Sequence, residues 1–519
     1  MAGVTEDPLA EQHDSHDLKP TLGVVHLIAL GIGGIIGAGI FVITGHAAAI
    51  YAGPGVVISF AIAGFGCAFT GLCYAEFASM IPVAGSAYTY TFATMGRFMA
   101  WFIGWNLVLE YLAASSTVAV GWSGYFNDFM NFLGAPVPPE FAQAPIALIG
   151  VQQQFVLTHA YFNLPAVALL AIVTIVLIVG VHLSANFNNV MVAIKLTIVV
   201  VVIALGLPHI VSAYHIPAQH DAVFSLIPAN TTGVFGQYGW SGVLRATGLI
   251  FFAYIGFDAV SVASQEAKNP QRDVPIGILG SLALCTVLYI LMSYVLTGLA
   301  PYQSLNVPHP VSMALERSAT LVWLAPYVSV GAIVGLASVV LVFLLGQSRI
   351  FYAMSRDGLL FEVFGKIHPR FKTPWLGSII TGLFAILLAG LLPIDVLNPL
   401  VSIGTLTAFV VVCIGTLILR VRMPRAKRPF RTPYIWVVAP MGVGMCALMM
   451  VFLPMETWVR LVIWTAIGLA IFFAYGAKRA RPPRWKIEEH AEDSGLPHTE
   501  EDKVWSTIKS WRNRLGHTS

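Results

Sequence analysis

Residues 31–41 read Gly-Ile-Gly-Gly-Ile-Ile-Gly-Ala-Gly-Ile-Phe, with five glycines in the nine positions from Gly31 to Gly39. They lie inside an apolar stretch running from 24 to 49. A bilayer-spanning helix needs about 20 apolar residues, and this stretch supplies them. Each interior glycine costs a helix about 1 kcal/mol relative to alanine. One GxxxG pair would read as close helix packing; five glycines in a single run predict a break. A break bares N–H and C=O groups in the hydrocarbon, which is tolerated only where they face protein, water or a ligand. The stretch therefore points to a membrane fold with a site at its centre.

The composition of the whole chain agrees. Its 519 residues include 28 Lys or Arg and 25 Asp or Glu, 10% charged in all, with 57% hydrophobic. An average soluble domain carries about 25% charged residues. So few charges cannot cover a soluble surface, which excludes a cytosolic enzyme, a nucleic-acid binder and a secreted disulfide scaffold. The five cysteines (Cys67, Cys73, Cys285, Cys413 and Cys446) all fall in apolar segments. They are odd in number and lack CxxC spacing, so neither a disulfide framework nor a metal site is expected, and no cofactor is implied. Glu6, Asp7, Glu11, Asp14 and Asp17 are the opposite of a basic signal-peptide start, so no cleavable leader is expected.

Working outward gives twelve apolar segments, numbered 1–12: 24–49, 55–81, 98–122, 164–182, 187–208, 243–267, 275–299, 324–355, 375–392, 399–420, 433–453 and 458–477. They are continuous rather than alternating, so the expected class is an all-α integral membrane protein with twelve transmembrane helices. With a cytoplasmic N-terminus, 24 of the 28 basic residues fall on the cytoplasmic side, and the outer loops 126–163 and 209–242 hold none. That bias predicts both termini inside. The expected organisation is a cytoplasmic N-terminus (1–23), a first repeat of segments 1–5 (24–208) and a second of segments 6–10 (243–420). Two peripheral helices (433–477) and a cytoplasmic tail (478–519) follow.

Segment 6 carries a second candidate break, Phe251-Phe252-Ala253-Tyr254-Ile255-Gly256-Phe257-Asp258. If segments 1–5 and 6–10 correspond, an odd number of spans per unit inverts the second. Broken helices at matching positions of inverted repeats mark a transporter's central site. A half-helix that starts after a break offers free N–H groups and the positive end of its dipole, which suit a carboxylate. One that ends at a break offers carbonyls, which suit an ammonium. Side by side the two fit a zwitterion, such as an α-amino acid.

Four charges fall within spans: Glu76, Glu110, Lys195 and Asp258. Each costs about 2.5–3.5 kcal/mol to insert. Lys195 lies nine residues into segment 5, about 14 Å deep. Its amine has two readings, a proton-exchanging group in an ion site or a static brace for the broken helices. Asp258 follows the second break, either as a cap or in a proton or substrate path. Glu110 is a candidate for substrate contact, proton transfer or pairing with Lys195. Glu76, near the end of segment 2, reads as structural or as part of a gate.

Four stretches carry a family resemblance: GIGGIIGAGIFVITG (31–45), YAEFASMIPVAGSAYTY (74–90), FFAYIGFDAVSVASQEAKNPQRDVPIGI (251–278) and GQSRIFYAMSRDGLL (346–360). In order and spacing the chain resembles the amino acid–polyamine–organocation superfamily, and within it the cationic amino acid transporter family, over about residues 20–475. The resemblance implies two inverted five-helix repeats with segments 1 and 6 broken, two added helices, and alternating access. It implies that Ile35, Ala38 and Gly39 meet the substrate carboxylate and that Phe252, Ala253 and Ile255 meet its ammonium. Lys195 stands where sodium sits in sodium-coupled relatives, and Glu110 and Asp258 match acidic positions of the family. Ala38 departs from the pattern, replacing a Ser or Thr between two glycines. Twelve segments match bacterial members rather than the fourteen of animal ones.

The expected activity is proton-coupled uptake of L-amino acids through the inner or plasma membrane, with protons and the lipid bilayer as the other partners. Segment 8 reads VSVGAIVGLASVVLVFLL from Val328 to Leu345, without Asp, Glu or Asn. A cationic side chain needs a polar partner, so small neutral amino acids are favoured over arginine or lysine. The alternatives are an amino acid or polyamine exchanger and a cationic amino acid transporter. Neither HExxH nor GxSxG occurs, so a membrane-embedded enzyme is not expected.

Overall fold

The computed structural model describes residues 22–80, 86–149, 154–180, 185–216, 225–257, 260, 267–371, 373–422, 424 and 428–479. Asp258 and both chain termini lie outside the described residues. Each of the twelve apolar segments is mostly helical where described. Among the described residues, seven helices are long and apolar enough to cross a membrane: Gly39–Met80, Arg97–Phe132, Asn189–His209, Pro270–Leu299, Val322–Arg356, Ile394–Arg422 and Met455–Arg479. Four shorter apolar helices join them, Val24–Ile35, Leu164–Val179, Trp375–Leu391 and Ile435–Val451.

Local chemistry sets many of the ends. The Asn163 side chain accepts from the Ala166 N–H at 3.2 Å and caps segment 4 ahead of Pro165. That helix stops at Gly180, whose φ of 78° a side chain would resist. Segment 3 starts after Gly96, at φ 87°, and continues to Phe132, ten residues beyond the apolar run that marked it. The overrun is amphipathic, so hydropathy alone does not see it. An antiparallel hairpin, Ile146–Ile149 with Gln154–Leu157, decorates the loop between segments 3 and 4 and is the one departure from an all-α chain among the described residues.

Two groups of helices organise the core. Segment 7 packs along segments 1 and 2, and segment 6 along segment 2. Segment 3, the long central helix, packs against segments 4, 8, 9 and 10, and segments 8 and 9 pack on each other. Segment 5 touches segments 1, 7 and 8, so it lies where the groups meet. Segment 12 is fastened outside. Trp105 Nε1 donates to the Trp464 carbonyl at 2.8 Å, Trp464 Nε1 donates back to that of Trp105 at 3.0 Å, and the rings stack. Its other face leaves Val462, Ile463 and Phe473 exposed, as a lipid-facing helix would.

Candidate functional site

The glycine run does break its helix. Val24–Ile35 ends with Ile36 extended, at φ −72° and ψ 102°, and helical turns resume at Gly39 as a π-type stretch, Gly39–Ile43. Segment 6 breaks as well. Gly239–Ile250 tightens into a 3-10 turn, Phe251–Tyr254, and the chain then extends at Ile255, φ −63° and ψ 139°. Gly256 follows at φ 113°, a conformation that L side chains avoid.

The breaks touch. A Cβ added to Gly34 would lie 2.8 Å from the Gly256 carbonyl oxygen, so only glycine permits this backbone crossing. A Cβ on Gly39 would collide with the backbone and methyl group of Ala253. The six residues that the resemblance assigns to the substrate backbone (Ile35, Ala38, Gly39, Phe252, Ala253 and Ile255) are therefore brought to one buried seam.

Backbone polar groups bared in such a seam need partners, and the partners can be named. Lys195 Nζ donates to the carbonyls of Gly33 at 3.1 Å and Ile36 at 3.3 Å. The Tyr289 hydroxyl, from segment 7, lies 2.7 Å from the Ile35 carbonyl and 2.8 Å from that of Ala253. One O–H has one proton, so the two breaks share it. Thr44 Oγ1 donates to the Gly39 carbonyl at 2.9 Å, and the Tyr125 hydroxyl to that of Phe41 at 2.6 Å. The Lys195 stem runs across segment 8, where a Cβ on Gly335 would sit 2.9 Å from its Cγ. Val339, one turn along, faces Gly37. The wall that segment 8 gives the seam is apolar.

These features meet a family comparison that covers most of the chain. A family described as amino acid permease matches residues 22–475. The chain belongs to the amino acid permease family. This permease is therefore an integral membrane transport protein rather than an enzyme. It is 42% identical to a methylthioribose transporter of Bacillus subtilis over 474 residues, 91% of this chain and 97% of the relative. It is also 42% identical to the branched-chain amino acid permease BcaP of the same organism, over 92% of this chain and 97% of that one. A vacuolar cationic amino acid transporter 4 of Arabidopsis thaliana is 37% identical over 79% of this chain and 65% of its own length.

Of the other charges within spans, Glu76 and Glu110 are described. Gly121 of segment 3 faces Ala38 and Val42, and Glu110 lies eleven residues back along that helix, about 16 Å. Glu110 is buried, with Gly404 of segment 10 against its backbone. Glu76 is fully buried and saturated. It accepts from Arg420 Nε at 2.8 Å and Nη2 at 2.7 Å, Arg428 Nε at 3.1 Å and the Thr432 N–H at 2.9 Å.

Two residues escaped the sequence reading. Tyr289 is one of 17 tyrosines and carries no motif around it. Gln347 follows the apolar run of segment 8 by two residues, is buried, and has neither amide atom hydrogen-bonded among the described residues.

Proposed function

We propose that this permease carries small neutral amino acids by proton-coupled alternating access, through twelve spans with both termini cytoplasmic. The observation that carries the reading is the seam between the breaks of segments 1 and 6, whose bared carbonyls at Gly33, Ile35, Ile36 and Ala253 are held by the Lys195 amine and the Tyr289 hydroxyl. A substrate ammonium competes for the same carbonyls, and its carboxylate meets the turn at Ala38 and Gly39. Binding separates segments 1 and 6, which touch at Gly39 and Ala253. The packing of segments 1, 2, 6 and 7 apart from segments 3, 4, 8 and 9 supports one group rocking on the other. Lys195, where the groups meet, weakens its hold on the Gly33 and Ile36 carbonyls when it loses its proton, because a neutral amine is a poorer donor. Glu110 suits a proton role better than substrate contact, because it stands some 16 Å along segment 3 from the level of Ala38. Asp258, next to the second break in sequence, is proposed as the further proton-path residue.

The apolar wall of Gly335 and Val339 favours a neutral substrate, as does the likeness to BcaP. The equal identity to the methylthioribose transporter supports a second neutral reading, an uncharged thio-sugar. A thermal-shift screen of the purified protein against the amino acids, polyamines and methylthioribose tests this, because a ligand that binds the native state raises its melting temperature. Stabilisation by small or branched neutral amino acids is expected. Stabilisation by arginine, lysine or polyamines alone overturns the neutral reading.

A further inference from the structure

The far ends of segments 10 and 11 carry a feature that the transport cycle does not use. A cavity of about 450 Å³ opens where the two helices approach, lined by Arg420, Arg431, Thr432, Tyr434 and Trp436 among others. Three guanidiniums, those of Arg420, Arg428 and Arg431, gather there against one carboxylate, that of Glu76. Glu76 already accepts four hydrogen bonds, which fills a carboxylate's capacity. Arg431 is exposed and lies near enough to disfavour the charge on Arg428. Burial pulls the Arg428 pKa below its ordinary value first; Glu76 opposes that, and Arg420 and Arg431 add to it. Arg420 spends Nε and Nη2 on Glu76, Nη2 also reaching the Thr432 carbonyl at 3.4 Å, and keeps Nη1 without a hydrogen bond among the described residues.

The rim is aromatic. Tyr434 is 85% exposed and Trp436 66%, beside an exposed Val437 on the first turn of segment 11. Tyr434 holds φ at 43°, a left-handed conformation uncommon for a bulky residue, and it turns the chain into the helix at the mouth of the cavity. Exposed indole and phenol rings beside an apolar helix face settle at the depth of lipid headgroups. Guanidiniums bind phosphate oxygens through paired N–H groups. A basic charge bias alone explains loops of either shape; it does not explain a cavity with excess guanidinium inside and aromatic rings at its lip.

We propose that this cavity binds the phosphate of an anionic membrane lipid, with Arg431 and Arg420 Nη1 on the phosphate and Trp436 and Tyr434 against the glycerol and upper acyl chain. The shared chemistry, a phosphate anion, could also come from solution, and the acidic run Glu488, Glu489, Glu492 and Asp493 of the chain's own tail offers a carboxylate instead. The aromatic lip favours the lipid. Purified full-length protein in detergent is titrated with phosphatidylglycerol, phosphatidylcholine or inorganic phosphate, and bound lipid is read by native mass spectrometry beside the melting temperature. Phosphatidylglycerol should be retained and should raise the melting temperature, while the other two should not. Arg431→Gln, an exposed position that leaves Glu76 fully paired, should weaken phosphatidylglycerol about fivefold, the worth of one basic residue near an anionic surface. Arg431→Lys should keep most of the binding, and Trp436→Ala should weaken phosphatidylglycerol without creating affinity for inorganic phosphate. Equal retention of phosphatidylglycerol and phosphatidylcholine, unchanged binding in Arg431→Gln, stabilisation by inorganic phosphate alone, or failure of the full chain to take up phosphatidylglycerol would each overturn the proposal.

Discussion

Two buried charges of this permease are held in opposite ways. Glu76 is fully buried, and the two arginines that grip it are 8% and 5% exposed. It accepts four hydrogen bonds, three of them from guanidiniums. Lys195, just as deep, donates to two neutral carbonyls, and no carboxylate among the described residues lies within ion-pair distance of it. Removing one partner of a buried ion pair strands the other charge, so Glu76 is fixed. A lysine held by dipoles can lose its proton without stranding an opposite charge, and the neutral amine keeps two N–H groups for the carbonyls. The first arrangement suits a joint and the second a moving part.

The comparison can be broken by experiment, beginning with the largest effect. Glu76→Gln should strand two buried arginines and cost about 3–5 kcal/mol, read as a large fall in melting temperature or loss of folded protein. If that variant is as stable as the parent, the joint is not a joint. Tyr289→Phe leaves the Ile35 and Ala253 carbonyls to share no hydroxyl and should cost about 1–3 kcal/mol. Its uptake should fall further than its stability, because the seam itself is altered; equal losses in both would make Tyr289 a packing residue. Lys195→Met leaves the Gly33 and Ile36 carbonyls without their donor but strands no opposite charge, so it should cost about 1–3 kcal/mol, as for Tyr289→Phe and less than for Glu76→Gln. A collapse like that expected of Glu76→Gln would erase the distinction between the two sites. Gly335→Ala places a methyl group against the Lys195 stem and should cost about 1 kcal/mol. Its signature is a displaced pH profile of uptake, and an unmoved profile would show that the stem's position does not matter.

Much of the seam was legible in the sequence because its signals are chemically costly. Five glycines in nine residues have no cheap reading inside a membrane helix, and a lysine nine residues deep has none either. The first break falls inside the glycine run, and the second at Ile255 and Gly256, inside the stretch 251–258 that marked it. What stayed hidden depends on partners far apart in the chain. Arg420 and Arg428 reach Glu76 from 344 and 352 positions away, and no local pattern pairs them. Tyr289 serves both breaks with one ordinary hydroxyl, and the burial of Gln347 depends on the helices packed around it. The twelve apolar segments located the helices well, but the extra turns of segment 3 and the hairpin after it are amphipathic or extended, and hydropathy is blind to both.

The central claim is that Lys195, held by the bared carbonyls of segment 1, couples substrate movement to protons. Its most direct test is uptake by proteoliposomes of the parent and Lys195→Met proteins, with and without an imposed pH gradient, using the neutral amino acid that best stabilises the parent. The account predicts that the gradient drives accumulation in the parent and none in the variant, while the variant still binds the amino acid in the thermal-shift assay. Gradient-driven accumulation that persists in Lys195→Met would contradict it.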